Sequence, residues 1–247
     1  MPRLPFLAAA LFAAGCGSGP PMTDGAVVPD DVPMTGNVVR PAEWVDLFDG
    51  ETLEGWHGYN RTDVPAGWSV EDGAIRFTPG VEGGDLMAEG VYGDFELELE
   101  WKVAECGNSG VFYTVEAAPE MDFPWRTGLE MQVIDDACHD DARYPSHRSG
   151  ALYDLYVPTA DVVRPAGEWN RARITVRDGR IEHGLNGQTI VEADQTSPAW
   201  AARVAASKFR DRSSFPSYGT RRRGAIGVQD HGDSVWFRNV RIRRLDG

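Results

Sequence analysis

The residues of this chain that could do chemistry centre on the stretch from Thr127 to Asp136. Leu129, Met131 and Val133 alternate there with Glu130 and Gln132. A period of two predicts a half-buried β-strand. Its apolar side should pack into a core. Its other side carries Glu130 and Gln132 in a row, about 7 Å apart by strand rise, with Asp135 at the end. This side is expected to line a concave, sugar-sized groove; a solvated outer face is the plainer alternative. A retaining glycosidase needs two carboxyl groups roughly 5–5.5 Å apart, and the successive positions here are Glu130, Gln132 and Ile134. Gln132 is neither a nucleophile nor a proton donor, so ordinary double displacement is disfavoured. Further candidates are His183, Lys208, Asp230 and His231. Each has a structural alternative: His183 shares its strand face with Ile181 and Leu185, Lys208 suits a solvated charge, and Asp230 and His231 run into Gly232 as a turn would. A divalent metal held by carboxylates and histidines is an open alternative, but no HExxH-like spacing fixes one.

The elements that must position these groups read as strands. Trp68 to Phe77 forms a hairpin around Asp72-Gly73, and Phe95 to Val103 alternates Phe95, Leu97, Leu99 and Trp101 with Glu96, Glu98 and Glu100. A strand over 111–115 precedes the Glu130 strand, and a long polar loop over 136–150 follows it. Asp178-Gly179 and Asn186-Gly187 turn three successive strands into two hairpins. Residues 197–209 hold the one short helix, and 210–223 form a basic loop. Two strands over 224–232 and 235–243 close the domain. Short strands at regular spacing with glycine turns predict an all-β, antiparallel two-sheet sandwich. Arg241 and Arg243 alternate with Val240 and Ile242, so their strand should neighbour the one bearing Glu96, Glu98 and Glu100. Trp44, Trp56, Trp68 and Trp236 read as core rather than as sugar platforms.

The 247 residues suit one large domain, and their net charge of −14 argues against a nucleic-acid partner. The charge is uneven, with ten basic and four acidic side chains after residue 204; internal pairing is the economical reading. Residues 1–16 read as a secretory signal whose apolar run ends in Ala13-Ala-Gly-Cys16. That ending looks like a bacterial lipoprotein processing site, which would make Cys16 a lipid-bearing N-terminus and hold the protein to a membrane of the cell envelope. Export with ordinary cleavage is the alternative. Residues 17–39 read as a flexible tether and 40–247 as the domain. In an oxidising compartment Cys106 and Cys138 either pair or stay as buried thiols.

The chain also resembles a known family, the 3-keto-disaccharide hydrolase domain. The resemblance rests on Leu47-Phe-Asp-Gly50 with Leu53-Glu-Gly-Trp56, Asn108-Ser-Gly-Val-Phe112, Gly128-Leu-Glu-Met-Gln-Val-Ile-Asp135, Gly150-Ala-Leu-Tyr153, Gly167-Glu-Trp-Asn170, His183-Gly-Leu-Asn-Gly187, Lys208-Phe209 and Ile226-Gly-Val-Gln-Asp-His-Gly232 with Trp236-Phe-Arg-Asn-Val-Arg-Ile242. It covers about residues 43–245 and departs from many relatives at Thr114, where they carry an arginine. It implies a jelly-roll sandwich of the concanavalin A-like lectin and glucanase type. It also implies an enzyme that cleaves 3-keto-glycosides by C2 proton abstraction, β-elimination and hydration. The catalytic groups are then expected among Glu130, His183, Lys208, Asp135 and His231, and the sugar contacts among Asn108, Gln132, Arg148, Gln229 and Asp230. The competing reading is a lectin-like module that binds sugar without turnover.

Overall fold

The computed structural model describes residues 42–245; the expected signal segment, Cys16 and the tether lie outside the described residues. In chain order the first strands are β1 (Val45–Asp46), β2 (Trp56–Gly58), β3 (Trp68–Glu71), β4 (Ala74–Phe77) and β5 (Leu86–Tyr92). Next come β6 (Phe95–Val103), β7 (Asn108–Val115), β8 (Leu129–Ile134), β9 (Asn170–Arg177) and β10 (Arg180–Leu185). After β11 (Gln188–Asp194) the chain forms the helix α1 (Pro198–Ala206), then β12 (Gly224–Val228) and β13 (Val235–Arg244).

All strand pairs are antiparallel and they make two sheets. The larger runs β11-β10-β9-β6-β13-β4-β3, with β1 added along β13; the smaller runs β2-β5-β12-β7-β8. The sheets face each other across one core. Phe95, Leu97, Leu99 and Trp101 of β6 meet Val111 and Tyr113 of β7 and Leu129, Met131 and Val133 of β8 there, all nearly fully buried. This is a two-sheet jelly-roll sandwich. The hairpin turns follow from residue type: Asp72-Gly73, Asp178-Gly179 and Asn186-Gly187 all have positive φ at both positions, as a type I′ turn requires.

The expected strand neighbourhood holds. β13 pairs with β6 so that Arg243, Arg241 and Arg238 stand opposite Glu96, Glu98 and Glu100. Each arginine donates to its glutamate at 2.5–2.7 Å. Arg221 of the 210–223 loop pairs with Glu116 in the same way, so four of the ten basic side chains at the end of the chain are paired with its acidic middle. Trp56 and Trp68 are core residues as expected. Trp44 and Trp236 are not: they lie half-buried on the outer face of the larger sheet, Trp44 beneath Arg241 and Arg243 and Trp236 beneath Lys102. The helix sits where expected, capped by Ser197, whose Oγ accepts from the Trp200 N–H. Cys106 and Cys138 form a disulfide that ties the start of β7 to the loop after β8.

Candidate active site

Because Leu129, Met131 and Val133 point into the core, alternation sends Glu130 and Gln132 to the outer face of the smaller sheet. The neighbouring strands contribute in register: Gly110 of β7 stands opposite Gln132, and Phe112 opposite Glu130. Gly110 is required by its neighbour. A Cβ at this position would collide with the Glu130 carboxyl, which lies across the glycine. Asn108 opens β7, and its backbone N–H is fixed by the Asp233 carboxylate at 3.1 Å. Gln229 follows β12, held by its N–H to the Gly110 carbonyl and by Ser109 Oγ donating to its own carbonyl. Tyr153 arrives on a segment that pairs along the free edge of β8, through Gln132 N–H to Ala151 O and Tyr153 N–H to Glu130 O.

Lys208 closes the site from above. It begins a tight turn after α1, where Ser207 Oγ accepts from the Phe209 N–H and the Asp154 carboxylate accepts from the Lys208 N–H at 2.9 Å. Phe209 is buried and stacks on Tyr218, so the turn is anchored. The Lys208 ammonium sits 4.3 Å from the Tyr153 ring centroid and 5.8 Å from that of Trp125, a cation–π seat. Behind Tyr153, His147 stacks on its ring and bridges Asp141 and Asp154, while the Tyr153 hydroxyl donates to Asp141.

Together Asn108, Trp125, Glu130, Gln132, Tyr153, Lys208, Gln229 and His231 enclose a cavity of about 210 Å³. Its electrostatics are unusual. Burial pushes the Glu130 carboxyl up to about 8, the charges of Asp85 and Asp141 push the same way, and Lys208 opposes them. No hydrogen bond contributes to that balance. Burial also lowers Lys208 from the ordinary lysine value, against the pull of Glu130, Asp154 and Asp141. Three amide oxygens, Asn108 Oδ1, Gln132 Oε1 and Gln229 Oε1, are buried without a hydrogen-bond partner. Leaving such groups unpaired costs about 1–3 kcal/mol each, so three of them around one cavity mark a place for a ligand rich in hydroxyl donors.

The cavity therefore gathers Glu130, Lys208, His231, Asn108, Gln132 and Gln229. The other expected residues lie elsewhere. His183 is on β10 in the larger sheet, fully buried between the sheets. Its Nδ1 bonds the Gly150 carbonyl at 2.9 Å and its Nε2 the Tyr113 hydroxyl at 2.8 Å. Burial pushes its ring down to about 4, so it is a structural histidine and not a base. Asp135 caps the turn at the disulfide, accepting from the N–H groups of Cys106 and Ala137. Arg148 donates to the Ala142 carbonyl and lines a separate cavity with Asp136 and Val157. Asp230 holds the N–H groups of Gly84 and Gly232 and borders an adjoining cavity. Trp125, Tyr153 and Asp85 were not foreseen. Two signals for them are visible in the sequence: the paired aromatics of Phe123-Pro-Trp125, and Tyr153 at the end of the Gly150-Ala-Leu-Tyr153 motif.

His139, His231 and Asp233 bring ligand-type atoms within 4.8 Å of one another. His139 Nδ1, however, accepts from the Asp141 N–H at 3.1 Å. In the neutral ring Nε2 then carries the proton, which suits a hydrogen-bond donor better than a metal ligand. In the other such group, Cys106 and Cys138 are consumed by their disulfide.

Fold and cavity define a jelly-roll sandwich with a buried carboxyl–ammonium cleft on the outer face of its smaller sheet. The chain belongs to the 3-keto-alpha-glucoside-1,2-lyase-like domain family, whose model matches residues 43–243. It is 36% identical over 229 residues to a 3-keto-disaccharide hydrolase of Bacteroides thetaiotaomicron, covering 82% of this chain and 79% of that one. A crystal structure of a presumed glycosyl hydrolase from Parabacteroides distasonis is 34% identical, with a TM-score of 0.76 over 82% of this chain and 94% of that one. A second from the same organism is 30% identical, with a TM-score of 0.63 over 82% and 100%. A Bacillus subtilis protein with a galectin-like fold, 13% identical, shares the fold alone, with a TM-score of 0.50 over 82% and 89%.

Proposed function

We propose that this protein is an exported enzyme that cleaves 3-keto-glycosides, with Glu130 as the base. The observation that carries the reading is the Glu130 carboxyl: buried, raised to about 8 and unbonded, beside an ammonium and three unpartnered amides. A ketone at C3 of a glycoside acidifies the hydrogen at C2. Glu130 takes that proton, and the electron pair moves onto the C3 oxygen as an enolate. Lys208 is the positive group placed to stabilise it. The enolate then re-forms the ketone, a C1–C2 double bond appears and the C1 oxygen leaves, taking a proton from the His231 side of the cleft. Water adds at C1 and a proton returns to C2, so the net change is hydrolysis. A base with a pKa near 8 abstracts such a proton better than an ordinary carboxylate. Gln132, two residues along the same face, stands where a retaining glycosidase would need its second carboxyl. The similarity to the named 3-keto-disaccharide hydrolase supports the substrate class.

The assay is release of the leaving group from methyl 3-keto-α-glucoside and from methyl α-glucoside. Wild type is expected to turn over the keto compound only. Glu130→Gln should lose about 10²–10⁴-fold in kcat with sugar binding retained. The base must be ionised, so kcat/KM should climb as pH rises toward about 8 and fall again as Lys208 loses its proton, below the ordinary lysine range. Equal turnover of both sugars would make the protein an ordinary glycosidase. Binding without turnover would make it a lectin.

A further inference from the structure

Behind Tyr153 lies a cluster that the chemistry above does not use. His147 stands there between two carboxylates. Its Nδ1 is 2.9 Å from Asp141 Oδ1 and its Nε2 is 3.2 Å from Asp154 Oδ1. The second oxygen of each carboxylate is also taken. Asp141 Oδ2 accepts from the Tyr153 hydroxyl, and Asp154 Oδ2 accepts from the Lys208 N–H. The His147 side chain is only 15% exposed, so these carboxylates rather than solvent decide its state. Burial pushes the Asp141 carboxyl up, but its bonds from His147 and Tyr153 outweigh this and hold it below the ordinary value. An ionised carboxylate only accepts.

A neutral imidazole has one donor and one acceptor. Either tautomer would set a bare nitrogen against a carboxylate oxygen. The imidazolium donates at both ends. Between an imidazole and a carboxylate the imidazole is the stronger base, so the shared proton sits on the ring. Tyr153 stacks on the ring with centroids 4.3 Å apart, and Tyr144 lies at 5.2 Å. The titratable and charged groups packed about His147 are thus Asp141, Asp154, Tyr153 and Tyr144, with Arg143 over the Tyr144 ring and Lys208 over that of Tyr153.

The charge on His147 bears on Lys208. Three carboxylates pull on that ammonium, Glu130 from the cavity and Asp154 and Asp141 from behind, and none of them hydrogen-bonds it. An ammonium moves toward the negative charge that is least balanced. With an imidazolium between them, Asp141 and Asp154 are already balanced, and the ammonium keeps its seat over Tyr153 at the cavity. We propose that His147 is a positioning residue: its imidazolium, held between Asp141 and Asp154, stops those carboxylates from capturing the Lys208 ammonium and so leaves it free for the substrate. The inference rests on the reading that Lys208 stabilises the enolate. A neutral side chain at position 147 hands Lys208 to Asp154 and leaves the enolate without its cation.

The test uses wild type, His147→Gln and the double variant His147→Gln/Asp154→Asn. Two measurements need no substrate. Nitrogen NMR of histidine-labelled wild type, with the His147 signals assigned by their loss in the double variant, should show a proton on both ring nitrogens at pH 7. A neutral ring there would overturn the inference. The chain has two lysines, Lys102 and Lys208, so lysine-labelled protein reports Lys208 directly. Its ammonium should titrate at higher pH in His147→Gln than in wild type, as a captured cation does; an unchanged titration would overturn the inference. On methyl 3-keto-α-glucoside, His147→Gln should lose about a hundredfold in kcat, the cost of misplacing a catalytic group by about 1 Å, with KM little changed. Its kcat/KM profile should move to higher pH, because Lys208 no longer lowers Glu130. The double variant removes the competing charge, keeps an acceptor for the Lys208 N–H and alters none of the charges that bear on Glu130, so it should regain most of the lost kcat. A merely structural histidine predicts additive losses and an unmoved pH profile, and either result would overturn the inference. If His147→Gln does not fold, the wild-type ring and the double variant still decide. If wild type turns over no keto-glycoside, the proposed function fails, and the two NMR measurements alone judge the role of His147.

Discussion

His183 and Glu130 are both buried titratable groups, and they differ in what surrounds them. The histidine has a partner for each ring nitrogen; the glutamate has none. His183→Ala should therefore damage the fold and spare the chemistry. It leaves a cavity and an orphaned Tyr113 hydroxyl, a loss of roughly 2–5 kcal/mol, while the kcat of the folded fraction stays unchanged. Thermal melts alongside active-site titration check this; a large fall in kcat with a normal melting temperature would return His183 to the mechanism. The two groups also bend stability with pH in opposite directions. Unfolded His183 binds a proton near its ordinary 6.5 and the folded residue refuses it until about 4, so stability is lost as pH falls through that window. Folded Glu130 keeps its proton up to about 8 where the unfolded carboxyl releases it near 4.5, so stability is lost as pH rises between those values. Sequence could place His183 on an apolar strand face, but the Tyr113 hydroxyl and the Gly150 carbonyl that complete it come from segments 70 and 33 residues away.

At the level of elements, the pairing of β6 with β13 was readable because alternation fixed which side chains faced out and charge fixed which strand could lie beside which. The ladder is redundant. Glu98 takes Arg241 at 2.6 Å and Arg171 at 2.9 Å. Burial pushes the Glu98 carboxyl up, but these two arginines outweigh it and hold it below the ordinary value. Arg241→Ala should thus cost only about 0.2–1 kcal/mol in urea unfolding; a loss several times larger would mean the ladder is cooperative. Other elements were hidden for physical reasons. Asn108-Ser-Gly110 has turn-forming composition, yet it is the buried start of β7, because the cleft needs a small residue and an amide there. Thr114 has φ of 54° inside the same strand, where the register of β12 against β7 slips, and no local pattern announces such a bulge. β5 shows Leu86, Met87 and Ala88 all buried, since both its faces are covered and alternation vanishes. The cleft itself draws on β7, β8, the turn after α1 and the end of β12, so its assembly depends on sheet order rather than on any motif.

For the whole molecule, the disulfide joins two cysteines 32 residues apart in sequence, both exposed. Closing a loop of that length is worth about 3–4 kcal/mol in the chain-entropy view, and bridges of this kind form chiefly in oxidising compartments. We propose export on the reading of residues 1–16, and the bridge gives that proposal a second measurable consequence. Mass spectrometry of the mature protein should find a lipid-bearing Cys16 at the N-terminus and no free thiol at Cys106 or Cys138. Cleavage elsewhere, an intact Met1 or alkylatable cysteines would defeat this view of its location. Among the described residues no helix is long and apolar enough to cross a membrane.

Gly110 makes room for the Glu130 carboxyl by having no side chain. One methyl group there would push the Glu130 carboxyl from its place while leaving Lys208, the amides, Trp125 and Tyr153 where they are. A protein of this design could then keep its grip on sugars and lose its turnover in a single mutational step. For this architecture the divide between an enzyme and a pseudoenzyme is one carbon atom wide, and it is crossed at a position that takes no part in the chemistry.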